Sequence, residues 1–135
     1  MNTHVDITVR VRYAETDQMG IAYYAHHFVW FELGRTEWFR QQGFVYKEME
    51  EQEGAYIIVA EARCRYHAPA RYDDLLVIRT RIQEARSRSI TFSYEILSQP
   101  DEQLLAIPNA CLGGLSGPRS LPDRYRALFA ATTQP

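Results

Sequence analysis

Hydrophobic and polar positions alternate at the start of the chain. In VDITVRVRY, residues 5 to 13, Val5, Ile7, Val9, Val11 and Tyr13 share one parity and polar residues occupy most of the other, the period of a strand with one buried face. The period is lost in AETDQMG, where the chain turns. From about His26 to Gln42 the segment HHFVWFELGRTEWFRQQ contains no proline and runs into Gly43, which predicts a helix closed by a glycine cap. Phe28, Phe31, Trp38 and Phe39 fall within one arc of that helix, while Val29, Trp30 and Leu33 lie off it. A helix apolar on several sides is central and wrapped, and needs more cover than one sheet offers.

VYKEMEEQEG reads as a short second helix ending at Gly54, with its acidic side chains in water. Four β-type segments follow, over 56–67, 74–85, 88–98 and about 103–115, separated by APARYDD, RSR and QPDEQ. The alternation is clearest in Ile90, Phe92, Tyr94 and Ile96, and the short RSR link predicts a hairpin. A meander of adjacent strands implies an antiparallel sheet, and an early helix before a run of strands makes the class α+β. Pro108 and Gly113-Gly114 weaken the last strand, which is read as bulged or as an edge. The tail LPDRYRALFAATTQP reads as one or two helical turns that fray.

At 135 residues the chain suits a single domain spanning 1–135, since two cores would each bury too little surface. Hydrophobic residues at 46% and charged residues at 24% describe a chain that folds around a core. A net charge of -2 lacks the basic field of a nucleic-acid binder. No apolar run reaches the length of a membrane span, and the N-terminal residues do not read as a signal peptide, so a cytoplasmic protein without nucleic-acid or membrane partners is expected. Cys64 and Cys111 have no CxxC or Cys/His spacing around them and read as buried free thiols. His26 and His27 are adjacent on a helix and point apart, so no metal site is expected. Fourteen of the fifteen basic residues are Arg, whose planar donors suit carboxylates and phosphates.

The densest cluster of functional atoms is YAETDQMGIAYYAHHF, with Asp17 in a loop some eight residues ahead of the helix. Amides at a helix N-terminus are unpaired and partly positive, so one near Tyr24 can stabilise an oxyanion forming on a carbonyl. A carboxylate facing that carbonyl supplies a nucleophile or base, the minimum for acyl transfer without Ser, Cys or metal. Spacing alone is met more simply by Asp17 as a turn cap. Glu32 reads as a buried acid or, more simply, an ion-pair partner; Arg63 and Arg65 read as outward charges.

The segment VRYAETDQMGIAYYAHHFVWFELGRTEWFRQQG resembles the signature of hot-dog-fold thioesterases of the 4-hydroxybenzoyl-CoA thioesterase type. The likeness continues through CRYHAPARYDDLLVIRTRI, where Pro69, Ala70, Tyr72, Asp73 and Asp74 fall on the family's central sheet motif, and covers about residues 5 to 98. The resemblance implies a long central helix wrapped by a strongly curved antiparallel sheet of about five strands. It also implies subunits paired into a continuous sheet, as a homodimer or a dimer of dimers, with sites at the subunit interface. Carried over by position, Asp17 is the catalytic carboxylate and the backbone amide of Tyr24 polarises the thioester carbonyl. The family commonly has other residues at Tyr24 and His26, so no catalytic role passes to those two side chains. Arg86, Arg88 and Ser89 fall on the hairpin where relatives hold the phosphates of CoA, although a solvated turn explains them as well. Tyr23, Tyr24, Phe28 and Phe31 would line an acyl site fitted to an aryl or medium-length group, or serve simply as core. The implied activity is hydrolysis of an acyl-CoA to free acid and CoA with no cofactor. A non-catalytic acyl-CoA or acyl-carrier binding protein, and a hot-dog dehydratase or isomerase using His26, are the alternatives.

Overall fold

A computed structural model of the chain describes residues 4–43, 47, 51 and 57–115. In chain order it forms β1 (His4–Arg10), a 3-10 turn (Tyr13–Glu15), α1 (His26–Gln41), β2 (Ile57–Tyr66), β3 (Leu75–Ala85), β4 (Ser89–Ser98) and β5 (Gln103–Leu115). The helix, and all five strands, lie within a few residues of the spans read from periodicity. The short helix read over VYKEMEEQEG falls almost wholly outside the described residues, and the tail helix falls wholly outside them.

The strands form one curved antiparallel sheet in the order β1-β3-β4-β5-β2. β3, β4 and β5 are a meander, and the β3–β4 hairpin is closed by the Arg86 amide donating to the Ser89 carbonyl at 2.8 Å. The meander does not extend to β2, which crosses to the far edge and pairs with β5. β5 is therefore an interior strand and not an edge. Pro108 is paired with Cys64 on the β2 side, and on the β4 side the ladder is interrupted around it, being paired at Ser93↔Asn109 and again at Ile96↔Ala106.

α1 crosses the concave face of the sheet. Buried Trp30, Phe31, Trp38 and Phe39 meet the inward residues of β3 and β4: Leu76, Ile78, Thr80, Ile82, Ile90, Phe92, Tyr94 and Ile96. Phe31 stacks on Tyr94 at 4.6 Å and Trp38 meets Phe92 edge-on at 5.5 Å. Each large side chain so buried contributes about 1.5–3 kcal/mol. Gly34 brings the helix backbone onto β3, because a β-carbon there would overlap the Thr80 hydroxyl. Gly43 ends the helix at φ 96°, the left-handed conformation that glycine supplies without strain.

Trp30 and Trp38 are both enclosed within one protomer, so they do not demand outside cover. Val29 and Leu33, at 47% and 45% exposure, are the apolar residues of α1 left open among the described residues. Glu32 beside them is exposed and is not a buried acid.

Candidate active site

The loop between β1 and α1 is built around a buried glutamate that the sequence pattern does not single out. Glu15 is 4% exposed, and its carboxylate accepts hydrogen bonds from the Arg12 amide at 2.8 Å and the Trp30 indole Nε1 at 3.1 Å. Its backbone carbonyl accepts the Tyr23 amide at 2.8 Å. One residue thus ties the end of the 3-10 turn to the start of α1.

Between those anchors the chain makes a tight turn. Asp17 Oδ1 accepts the Met19 amide at 2.8 Å, and the Gly20 amide donates to the Asp17 carbonyl at 3.0 Å. Gly20 takes φ 79°, a conformation costly for other residues. The Asp17 amide donates to the Ile21 carbonyl at 2.8 Å and the Ala22 amide to the Ala70 carbonyl at 2.7 Å, which seats the loop on the APARYDD segment. That segment is itself pinned, with Asp74 Oδ2 accepting the Arg71 amide at 2.9 Å. Asp17 is therefore a turn cap through one oxygen. Its Oδ2 takes no hydrogen bond among the described residues.

Asp17 and Tyr24 line one cavity of about 370 Å³, together with Met19, His27, Tyr66 and the loop after β2 from His67 to Ala70. α1 has Ala25 at its N-cap position and therefore no side-chain cap. Among the described residues, the Tyr24 and Ala25 amides donate no hydrogen bond. A half-buried acid and a residue whose amide is unpaired, just ahead of the helix, thus line the same space. Arranged so, the amide can stabilise an oxyanion and the carboxylate can deliver an electron pair or accept a proton.

The other residues singled out in the sequence divide. Tyr23 packs against the Tyr24 ring at 4.6 Å and stands outside the cavity lining, 45% exposed. Phe28 is half-buried and packs on the core, and Phe31 is fully enclosed in it, stacked on Tyr94. Neither belongs to the cavity of Asp17 and Tyr24. Arg86, Arg88 and Ser89 lie together at the β3–β4 hairpin, also outside that cavity, with Arg86 Nε on Glu84 Oε1 at 2.7 Å. His26 is half-buried with its ring edge-on to Tyr23. Arg63 pairs with Glu61 at 3.0 Å on the exposed strand, and Arg65 is likewise exposed.

His27, Tyr66 and His67 are the cavity residues that sequence reasoning missed as site residues. Periodicity offered no signal for them, because Tyr66 ends a strand and His27 belongs to the buried side of the helix. Burial pushes the His27 imidazole below its usual range and raises the Tyr66 phenol and the Cys64 thiol above theirs. Cys64 is free and half-buried; the side chain of Cys111 lies outside the described residues. Among the described residues no group of His, Cys, Asp or Glu is placed to hold a metal, and no helix is long and apolar enough to cross a membrane.

A helix laid across a curved five-stranded antiparallel sheet, with an acid-bearing loop ahead of the helix on the same cavity as Tyr24, is the arrangement of hot-dog thioesterases. Residues 11–111 match the family model of the thioesterase-like superfamily, and the chain belongs to that superfamily. Among its relatives, the acyl-CoA thioester hydrolase YbgC of Escherichia coli (strain CFT073) is 33% identical over 124 residues, 90% of this chain and 92% of that protein. The crystal structure of a hypothetical protein from Thermus thermophilus superposes with a TM-score of 0.90 at 26% identity, covering 98% of this chain and 99% of that one. The 4-hydroxybenzoyl-CoA thioesterase of Pseudomonas sp. strain CBS-3 shares the fold, with a TM-score of 0.81 at 20% identity over 93% of this chain and 98% of its own.

Proposed function

We propose that the chain hydrolyses an aromatic or short- to medium-chain acyl-CoA, using Asp17 as nucleophile or general base and the Tyr24 amide as oxyanion donor. The observation that carries this reading is that Asp17, with one carboxylate oxygen free, and Tyr24, with its amide unpartnered just ahead of the helix, line one cavity. The acyl carbonyl sits against the Tyr24 amide, which favours the charge that develops on its oxygen. As base, Asp17 takes a proton from water while the water oxygen bonds to the carbonyl carbon. As nucleophile, its oxygen forms a mixed anhydride that water then opens. Either way the C–S bond breaks, CoA leaves as thiolate and takes up a proton, and the free acid remains. Met19, Ile21, Ala22, Tyr24 and Tyr66 give the cavity an apolar and aromatic wall suited to the acyl group.

Arg86, Arg88 and Ser89 would hold the phosphates of CoA from the hairpin, outside the acyl cavity. The working unit is a homodimer or a dimer of dimers in the cytoplasm. β2 supports this: among the described residues it has β5 on one side only, and Ile58 and Val59 are 60% and 52% exposed. A second copy laid along that edge would continue the sheet.

Incubating the protein with aromatic, short-chain and medium-chain acyl-CoAs and a thiol reagent tests the reading. Release of CoA with formation of the free acid is expected. Tight acyl-CoA binding without release across the panel would make the chain a binding protein instead.

A further inference from the structure

We propose that Tyr66 and His27 are positioning residues, which hold the thioester-polarising amide of Tyr24 in place by clamping the Tyr24 carbonyl. The inference rests on the acyl-CoA thioesterase reading and deepens it. The Tyr24 carbonyl accepts the Tyr66 hydroxyl at 2.8 Å, His27 Nδ1 at 3.0 Å and the His27 amide at 3.3 Å. Only the last of these is an ordinary bond of a helix start. The other two come from side chains on different elements, one at the end of β2 and one on α1, and they are the two shortest of the three contacts to the oxygen.

A carbonyl can only accept, so the proton of the neutral His27 ring is assigned to Nδ1. Burial disfavours the charged imidazole and keeps the Tyr66 phenol protonated, so both donors stay in place through the neutral range. The two rings meet edge-on at 4.7 Å and brace each other.

The clamp has a mechanical purpose. α1 begins without a side-chain cap, so its first amides have no local restraint of the usual kind. The peptide before Tyr24, which carries the Tyr24 N–H, is tied by the His26 amide donating to the Tyr23 carbonyl at 3.0 Å, and the peptide ahead of that one by the Tyr23 amide donating to the Glu15 carbonyl. The planar peptide after Tyr24 is tied by the clamp. With both peptides anchored, Tyr24 has no freedom to rock, and its amide is aimed before substrate arrives. Electrostatic stabilisation of an oxyanion depends on that preorganisation.

The test compares Tyr66→Phe with wild type under steady-state conditions on the best acyl-CoA. Phe keeps the edge contact with His27 and removes only the hydroxyl. A fall in kcat of about tenfold is expected, since small misplacements of a reacting geometry cost one to two orders of magnitude. KM should stay within about twofold and oligomeric state should not change, because the Phe ring keeps the aromatic wall that Tyr66 gives the cavity. The carbonyl carbon-13 resonance of Tyr24 should move upfield as a hydrogen bond is lost. A second pair guards against misfolding: His27→Asn sets an amide donor near the place of Nδ1 and should retain more of kcat than His27→Phe. Wild-type turnover with unchanged kcat in Tyr66→Phe, or equal loss in His27→Asn and His27→Phe, overturns the clamp alone. A wild type that releases no CoA from any substrate overturns the proposed function, and the clamp's catalytic purpose with it.

Discussion

Glu15 Oε2 accepts the indole N–H of Trp30 at 3.1 Å, a bond between two buried side chains fifteen residues apart that joins the Asp17 loop to the helix. The second oxygen of the same carboxylate holds the Arg12 amide, so neither lone partner can be removed without stranding a donor away from water.

Glu15→Gln is therefore a severe change despite its equal size. It turns one acceptor into an NH2 group facing an N–H donor, and leaving a buried polar group unmatched costs about 1–3 kcal/mol. Urea unfolding should show a clearly lower midpoint at unchanged slope. An unchanged midpoint would mean that water replaces the glutamate and the loop is anchored elsewhere.

The depressed imidazole of His27 gives a pH dependence of known sign. Its folded value lies below the usual 6.5, so below pH 6.5 the unfolded chain binds a proton that the folded chain refuses. The stability linked to this group is complete above 6.5 and declines as pH falls from 6.5 toward the folded value. Between pH 7 and pH 5 the wild type should lose more stability than His27→Phe, measured as the shift in urea midpoint. Parallel losses in the two proteins would show that His27 is not the group responsible.

The Arg pair on the β3–β4 hairpin makes a separate prediction. Changing Arg86 and Arg88 together to Ala should raise KM for acyl-CoA while kcat stays within a few fold, the signature of lost uniform binding. Steady-state kinetics decides it, and an unchanged KM removes the hairpin from the CoA site.

Strands and helix were legible in the sequence because each buries one face, and burial of one face writes a period into the chain. Strand order was not. Nothing in IIVAEARCRY distinguishes a partner in β3 from one in β5, and the weak residues of β5 suggested a bulged strand or an edge, where the structure has an interior strand with register shifts in both of its ladders. At the candidate site, spacing alone read AETDQMG as a turn and Asp17 as its cap, which is the turn the structure shows, and only the family resemblance marked Asp17 and the Tyr24 amide as chemistry. Glu15 was not legible, since a glutamate beside Thr16 and Asp17 reads as one more polar loop residue until Trp30 is seen to reach it. Aromatic content left acyl site and core open. Phe31 belongs to the core against Tyr94, whereas Tyr66, which ends an exposed strand, borders the cavity.

The most direct test of the account is the turnover of Asp17→Asn on the best acyl-CoA, measured beside its melting temperature and oligomeric state. Asn keeps an acceptor for the Met19 amide, so the turn should survive and the melting temperature should hold. Loss of the carboxylate as nucleophile or base should lower kcat by about a hundredfold or more. A variant that turns over within threefold of wild type while melting several degrees lower would show Asp17 to be a turn cap alone, and would contradict the mechanism.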